Sequence, residues 1–218
     1  MSADLLQKAQ EFASDITAVL NRTVCNGAKA RPSRIPGDGT RVIVGHGLSQ
    51  ANPAKPLPFP VRLNRENPSC YLNLNYRLCL DECGEHLTVL SSFVGIFADE
   101  AAQLCLCHYD YERNKTDDYP EAHLHVFGAS PGLRELNHGR GRVRGLNKLH
   151  FPVGGRRYRP TLEDVIEFLI VEGFATPRPG WQAVIKQHRR RFHRIQLRAV
   201  IRRDPETAEA AIRGYAAA

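Results

Sequence analysis

Apolar positions between residues 3 and 20 fall at intervals of three and four, placing Leu5, Leu6, Ala9, Phe12, Ala13, Ile16, Val19 and Leu20 on one stripe of ADLLQKAQEFASDITAVL. That spacing predicts an amphipathic helix. The period is then lost. Residues 26–69 carry seven prolines and five glycines around one short apolar run, RVIVG at 41–45, which predicts long irregular connections around at most one strand.

A period of two takes over at CYLNLNYRLCL (70–80), where Cys70, Leu72, Leu74, Tyr76, Leu78 and Leu80 alternate with Tyr71, Asn73, Asn75, Arg77 and Cys79. This is the signature of a half-buried strand. DECGE supplies turn chemistry, and HLTVLSSFVGIF (86–97) returns as a second strand rich in β-branched and aromatic residues. LCLCHYDYE (104–112) and AHLHVFG (122–128) follow around the polar turn RNKTDDYP. Four strands in succession predict an antiparallel meander.

After a Gly- and Arg-rich excursion at 129–159, Pro160 precedes Thr161, a helix cap whose partner Asp164 stands three residues on. The helix LEDVIEFLIVE should stop at Gly173. TPRPG then leads into a last long helix, about Trp181 to Arg203, and a short one in the alanine-rich tail. The fold class expected is α+β. A meander domain with its N-terminal helix spans 1–175, and a basic helical extension spans 176–218.

Composition narrows the classes. A chain of 218 residues, 42% hydrophobic and 24% charged, can bury a core without staples. The first 25 residues are interrupted by Asp4, Lys8, Glu11 and Asp15, and no later run is apolar for 18 residues, so neither a secretory leader nor a membrane span is expected. Six cysteines, mostly inside strand-like segments, read as reduced thiols in a cytoplasm. The net charge of +7 and pI near 9.3 point to polyanionic partners.

The basic residues cluster. Between 134 and 159 stand Arg134, Arg140, Arg142, Arg144, Lys148, Arg156, Arg157 and Arg159 against the single acid Glu135. From 186 to 203 the long helix carries no acid, and Arg190, Arg194 and Arg198 align on its exposed side. Ile185, His188, Phe192, Ile195 and Ala199 would form its buried stripe. Like charges four residues apart cost helix stability, so an anion is expected opposite them. Nucleic acid, RNA before DNA, is the partner this pattern favours, with an acidic protein as the alternative.

Candidate chemistry centres on YPEAHLHVFG, where His123 and His125 share one side of a strand. If residue 109 pairs with 123, their neighbours are Cys107, Tyr109 and Tyr111, and Leu104, Leu106, Leu124 and Val126 form the apolar face. A slip of one residue gives them His108 and Asp110 instead. The first register is favoured because it gathers four aliphatic residues. Two imidazoles can serve as acid and base on a phosphodiester, and RNA brings its own nucleophile in the 2′-hydroxyl. His150 would be a third imidazole, with Arg156, Arg157 or Arg159 stabilising phosphate charge.

No cofactor or metal is expected. Cys79 and Cys83 lie at one end of the meander and Cys105 and Cys107 at the other, roughly 20 Å apart at strand rise, too far for one zinc ion. VIVGHGLSQ lacks the second glycine of a nucleophile elbow, and no phosphate-cradling loop follows a strand.

Residues 104–170, about a third of the chain, resemble the small TumE-type toxins of bacterial toxin–antitoxin modules through LCHYDYER, YPEAHLHVFG, a basic loop and PTLEDVIEFL. The resemblance implies that His123 and His125 match that family's His strand and that Asp110 and Tyr111 match its aromatic and Asp strand. It also implies a toxin with an antitoxin partner; joined to the histidine chemistry above, the function expected is a metal-independent ribonuclease of the toxin or defence kind. The N-terminal helix, the proline-rich connection and the basic C-terminal helix are additions to that pattern. A non-catalytic nucleic-acid-binding adaptor, or an assembly subunit that meets an acidic protein, is the alternative.

Overall fold

A computed structural model describes residues 3–63, 68–116, 119–129, 145–154 and 159–216. The first helix, α1 (Ala3–Thr23), buries Leu5, Ala9, Ala13, Ile16, Val19 and Leu20, as the three- and four-residue spacing requires. The Asn21 side chain grips both backbone groups of Ala28, and Ala30 N–H donates to Thr17 Oγ1 at 3.0 Å. The first strand is thereby pinned to the helix that precedes it.

Eight strands form one antiparallel sheet among the described residues: β1 (Ala30–Arg34), β2 (Val42–His46), β3 (Phe59–Val61), β4 (Cys70–Leu80), β5 (Leu87–Phe97), β6 (Cys105–Glu112), β7 (Ala122–Val126) and β8 (Phe151–Pro152). Their order is β1-β2-β4-β5-β6-β7-β8, with β3 also pairing β4. The four-strand meander and the α+β class expected from the sequence are therefore present. The proline-rich connection, expected to hold at most one strand, holds three. Proline is tolerated there because β1 is an edge strand and β3 is a three-residue stub, so few ladder bonds are lost. β2 and β3 lie end to end along one edge of β4, opposite residues 75–78 and 70–72. Gly45 sits where a Cβ would come 2.6 Å from Pro56 and 2.7 Å from the Leu74 carbonyl, so only glycine lets the connection fold back this closely.

Among the described residues three further helices follow: α2 (Leu162–Val171), α3 (Trp181–Arg203) and α4 (Pro205–Ala216). α2 starts on the predicted capping box, in which Thr161 Oγ1 accepts from Asp164 N–H at 3.3 Å and Asp164 Oδ2 accepts from Thr161 N–H at 2.8 Å. It ends before Gly173, whose φ of +75° few other residues adopt. Leu162, Val165, Ile166 and Leu169 join Leu72, Leu74, Leu78, Val94 and Ile96 and the α1 stripe in one core. Truncating Leu169 or Ile166, both fully buried, removes about 2–5 kcal/mol.

α3 departs from the expected stripe. Val184 and Ile185 are buried and His188 and Phe192 are half-buried, but Ile195 is 51% exposed and Leu197, Val200 and Ile201 are exposed with it. The reason is length: α3 has 23 residues and α2 has 10, so at 1.5 Å per residue the last turns outrun the surface available to cover them. Arg189 spans Asp164 and Glu167 on α2 at 2.8 and 2.6 Å, and Arg191 reaches Asp15 on α1 at 2.6 Å. Arg178 donates to the Asn21 and Cys25 carbonyls and so fastens the approach to α3 onto the end of α1.

Candidate active site

The register between β6 and β7 decides what the site contains. His108 stands opposite His125 and Asp110 opposite His123, while Cys107, Tyr109 and Tyr111 face Val126, Leu124 and Ala122. This is the slipped register and corrects the one favoured from the sequence. Leu104 and Leu106, which suggested the other register, are 65% and 39% exposed. They mislead because pairing shifts between Ile96 and Phe97: Ile96 meets Cys107 but Phe97 meets Cys105, so a bulge breaks the alternation just before His108.

The consequence is two clean faces. Cys107, Tyr109, Tyr111, Ala122 and Leu124 belong to the buried or half-buried helix side. His108, Asp110, His123 and His125 share the other side with Phe93 and Gly95 of β5 and with Asn73 and Asn75 of β4. His150 joins them from the segment after a single 3-10 turn at Leu146–Lys148. Its ring lies 4.7 Å from that of His123 and 4.5 Å from that of His125, and Tyr119 stacks on it at 3.8 Å.

The geometry is tight. Asp110 Oδ2 is 3.2 Å from His108 Nε2 and 3.8 Å from Nε2 of both His123 and His125. Nδ1 of His123 is 2.9 Å from the Pro120 carbonyl, and Nδ1 of His125 is 3.1 Å from the Asn147 carbonyl. Since a carbonyl only accepts, each Nδ1 carries the proton, and in the neutral ring Nε2 keeps its lone pair toward Asp110. His123 is 3% and His125 9% exposed. Burial lowers the affinity of His125 for a proton below the usual histidine value; His108 and His123 push the same way, against the Asn147 carbonyl and Asp110. Phe93 and Phe127 flank His108 at 5.0 and 5.6 Å. The Oδ1 atoms of Asn73 and Asn75 are buried with no hydrogen-bond partner among the described residues, which leaves two acceptors for a bound group to use.

Of the residues expected at the site, His123, His125, His150 and Asp110 come together. Tyr111 does not: a strand turns neighbouring side chains to opposite faces, and Tyr111 is buried beneath Arg159, whose guanidinium lies 4.1 Å from its ring centroid. Arg159 is thus placed with Tyr111, away from the imidazoles. Arg140, Arg142, Arg144, Arg156 and Arg157 lie outside the described residues. Arg190, Arg194 and Arg198 are exposed on α3, and among the described residues no carboxylate comes within ion-pair distance of them. His108 was the residue sequence reasoning left aside. Matching polar with polar across the turn, His108 and Asp110 against His125 and His123, was the signal for it.

No protein-family model, curated protein or solved structure matches the chain.

Proposed function

We propose that the chain binds RNA and cleaves it at the face formed by His108, Asp110, His123, His125 and His150, as a bacterial toxin or defence ribonuclease. The observation that carries this reading is the gathering of four imidazoles and one carboxylate in two overlapping groups that share His125, with two of the rings oriented by main-chain carbonyls. The 2′-hydroxyl of RNA attacks its own phosphodiester once a base removes its proton, and an acid protonates the leaving 5′-oxygen. His123 and His125, adjacent on β7 with ring centroids 5.0 Å apart, supply those two roles. The Pro120 and Asn147 carbonyls hold the two rings in place. Free thiols, buried in the case of Cys25, Cys70 and Cys107, fit a reducing cytoplasm, and an acidic antitoxin is the protein partner this reading calls for.

A second reading, a binding adaptor without chemistry, draws on the exposed line of Arg190, Arg194 and Arg198. The test is cleavage of a mixed-sequence labelled RNA by the wild type and by His123→Ala/His125→Ala in chelator, with binding measured on the same samples. The ribonuclease reading expects cutting that vanishes in the double variant while binding persists. Equal, salt-sensitive binding with no cutting by either protein assigns the function to the arginines instead.

A further inference from the structure

The histidine face has a donor arrangement that acid–base chemistry alone does not explain. One ring nitrogen from each of His123, His125 and His150 lies within 4.8 Å of the others, and His108, Asp110 and His125 form a second such group. The Nε2 atoms of His123 and His125 point lone pairs at Asp110 Oδ2, itself an acceptor, at 3.8 Å each. His108 Nε2 can donate to Asp110 Oδ2 at 3.2 Å, but the two imidazole lone pairs still face a carboxylate oxygen, an unfavourable pairing of acceptors. A cation placed between them removes the conflict. Anchoring Nδ1 on a main-chain carbonyl is also how proteins aim a metal-ligating imidazole.

We infer that His123, His125 and His150 bind one divalent transition-metal ion of the zinc class, with Asp110 beside its fourth position. The donor set decides the class: three imidazoles suit zinc, nickel, iron or copper, whereas magnesium and calcium require mostly oxygen. The span fits as well. Zinc bonds nitrogen at about 2.0–2.1 Å, which sets tetrahedral ligands about 3.4 Å apart, so the three nitrogens close on an ion by moving about 1 Å or less. His125 belongs to both groups, and one lone pair serves one ion, so a single site is assigned. His108, 3.2 Å from Asp110, steadies the carboxylate.

In one respect this inference rests on the ribonuclease reading. An ion on His123 and His125 occupies the lone pairs that the acid and base need, so filling the site stops cleavage. The donor set itself does not depend on that reading.

The experiment is a cobalt(II) titration of the chelator-treated full-length chain near neutral pH, followed by visible absorption and calorimetry, with zinc as competitor. One ion per chain is expected, with the intense visible bands of four-coordinate cobalt and no thiolate charge-transfer band. Loss of a ligand weakens binding by about tenfold or more, in His125→Ala and in His150→Ala, whereas His86→Ala, on the exposed turn before β5, matches the wild type. Circular dichroism identifies the folded variants; if His125→Ala does not fold, His150→Ala carries the comparison. Three results overturn the site: no uptake by the folded wild type at micromolar cobalt, equal uptake by the histidine variants, or a thiolate band that assigns the ion to cysteine. RNA cleavage on the same samples separates the two ideas. Cutting in chelator that zinc suppresses over its binding range supports both. Uptake with no cutting under any condition sinks the ribonuclease and leaves the site, and cutting without uptake does the reverse. Cutting only when the ion is bound overturns the inhibitory role.

Discussion

Gly95 lies opposite His108 in the centre of the sheet, and replacing it by alanine tests whether the aromatic wall holds that imidazole in place. A Cβ there would stand 2.5 Å from Phe97 Cε2 and 2.7 and 2.8 Å from Cε1 and Cζ of Phe93. Carbon atoms in contact settle at about 3.5–4.0 Å, so each ring must retreat by about 1 Å. Phe97 is 6% exposed and hemmed in. Both rings must therefore shift, and the half-buried Phe93, the freer of the two, is the one 5.0 Å from His108. Overpacking of this kind costs about 1–3 kcal/mol, which for a chain of this size lowers the melting temperature by about 2–12 °C at about 2–4 °C per kcal/mol. The assay is thermal denaturation together with the imidazole NMR signals of uniformly labelled protein. The control is Gly128→Ala, whose nearest neighbour, Leu146 Cδ1, is an ordinary 3.9 Å away. A melting temperature equal to the control, with the His108 signal unmoved, would refute the idea that the glycine is there to let the rings close on the site.

Thr161→Ala removes the acceptor of the α2 capping box and should cost about 1 kcal/mol, read as a lower urea midpoint with unchanged slope. Burial pushes the Cys25 thiol up to about 12, and Tyr76 rises in the same direction for the same reason. Because the folded chain then holds protons that the unfolded chain releases, this stability is complete below about pH 9 and is lost as pH climbs toward the folded value, at up to about 1.4 kcal/mol per pH unit for each such group. Urea midpoints at rising alkaline pH should fall in the wild type and fall less steeply in Cys25→Ala; equal slopes would contradict the assignment. Changing Arg190, Arg194 and Arg198 together to glutamine should reduce the slope of log affinity against log salt for single-stranded RNA by about 2, at about 0.7 per phosphate contact. An unchanged slope would place the RNA elsewhere.

Much of this architecture is legible in residue patterns. The stripe of α1, the alternation in β4 and the Thr161–Asp164 cap each rest on local spacing that tertiary contacts did not override. What misled was also local. Pro32 and Pro60 read as strand breakers, yet an edge strand and a three-residue stub need few ladder hydrogen bonds. Leu104 and Leu106 extend the apolar alternation of β6 only on paper, because the bulge before Cys107 turns the strand and leaves both exposed. The β6–β7 register, Asp110 opposite His123, decides whether His123 and His125 face tyrosines or face His108 and Asp110, and a one-residue slip is invisible to composition. In α3 the apolar spacing continues to Ile201, but burial depends on how far a neighbour reaches, which no period records. The convergence of His150 is non-local, set by the 3-10 turn that lays Asn147 and His150 across β7.

The central claim is that the histidine face, rather than the basic helix alone, meets the nucleic acid. The most direct measurement is imidazole nitrogen–proton NMR of the full-length protein in chelator, titrated with a short RNA whose 2′-hydroxyls are methylated so that it cannot be cut. His108, His123, His125 and His150 should shift together and saturate at one RNA concentration, with His123 and His125 protonated at Nδ1 beforehand, while His46 and His86 stay still. Saturating binding that leaves those four rings unmoved, or shifts only His188 and His193 on α3, would contradict the account.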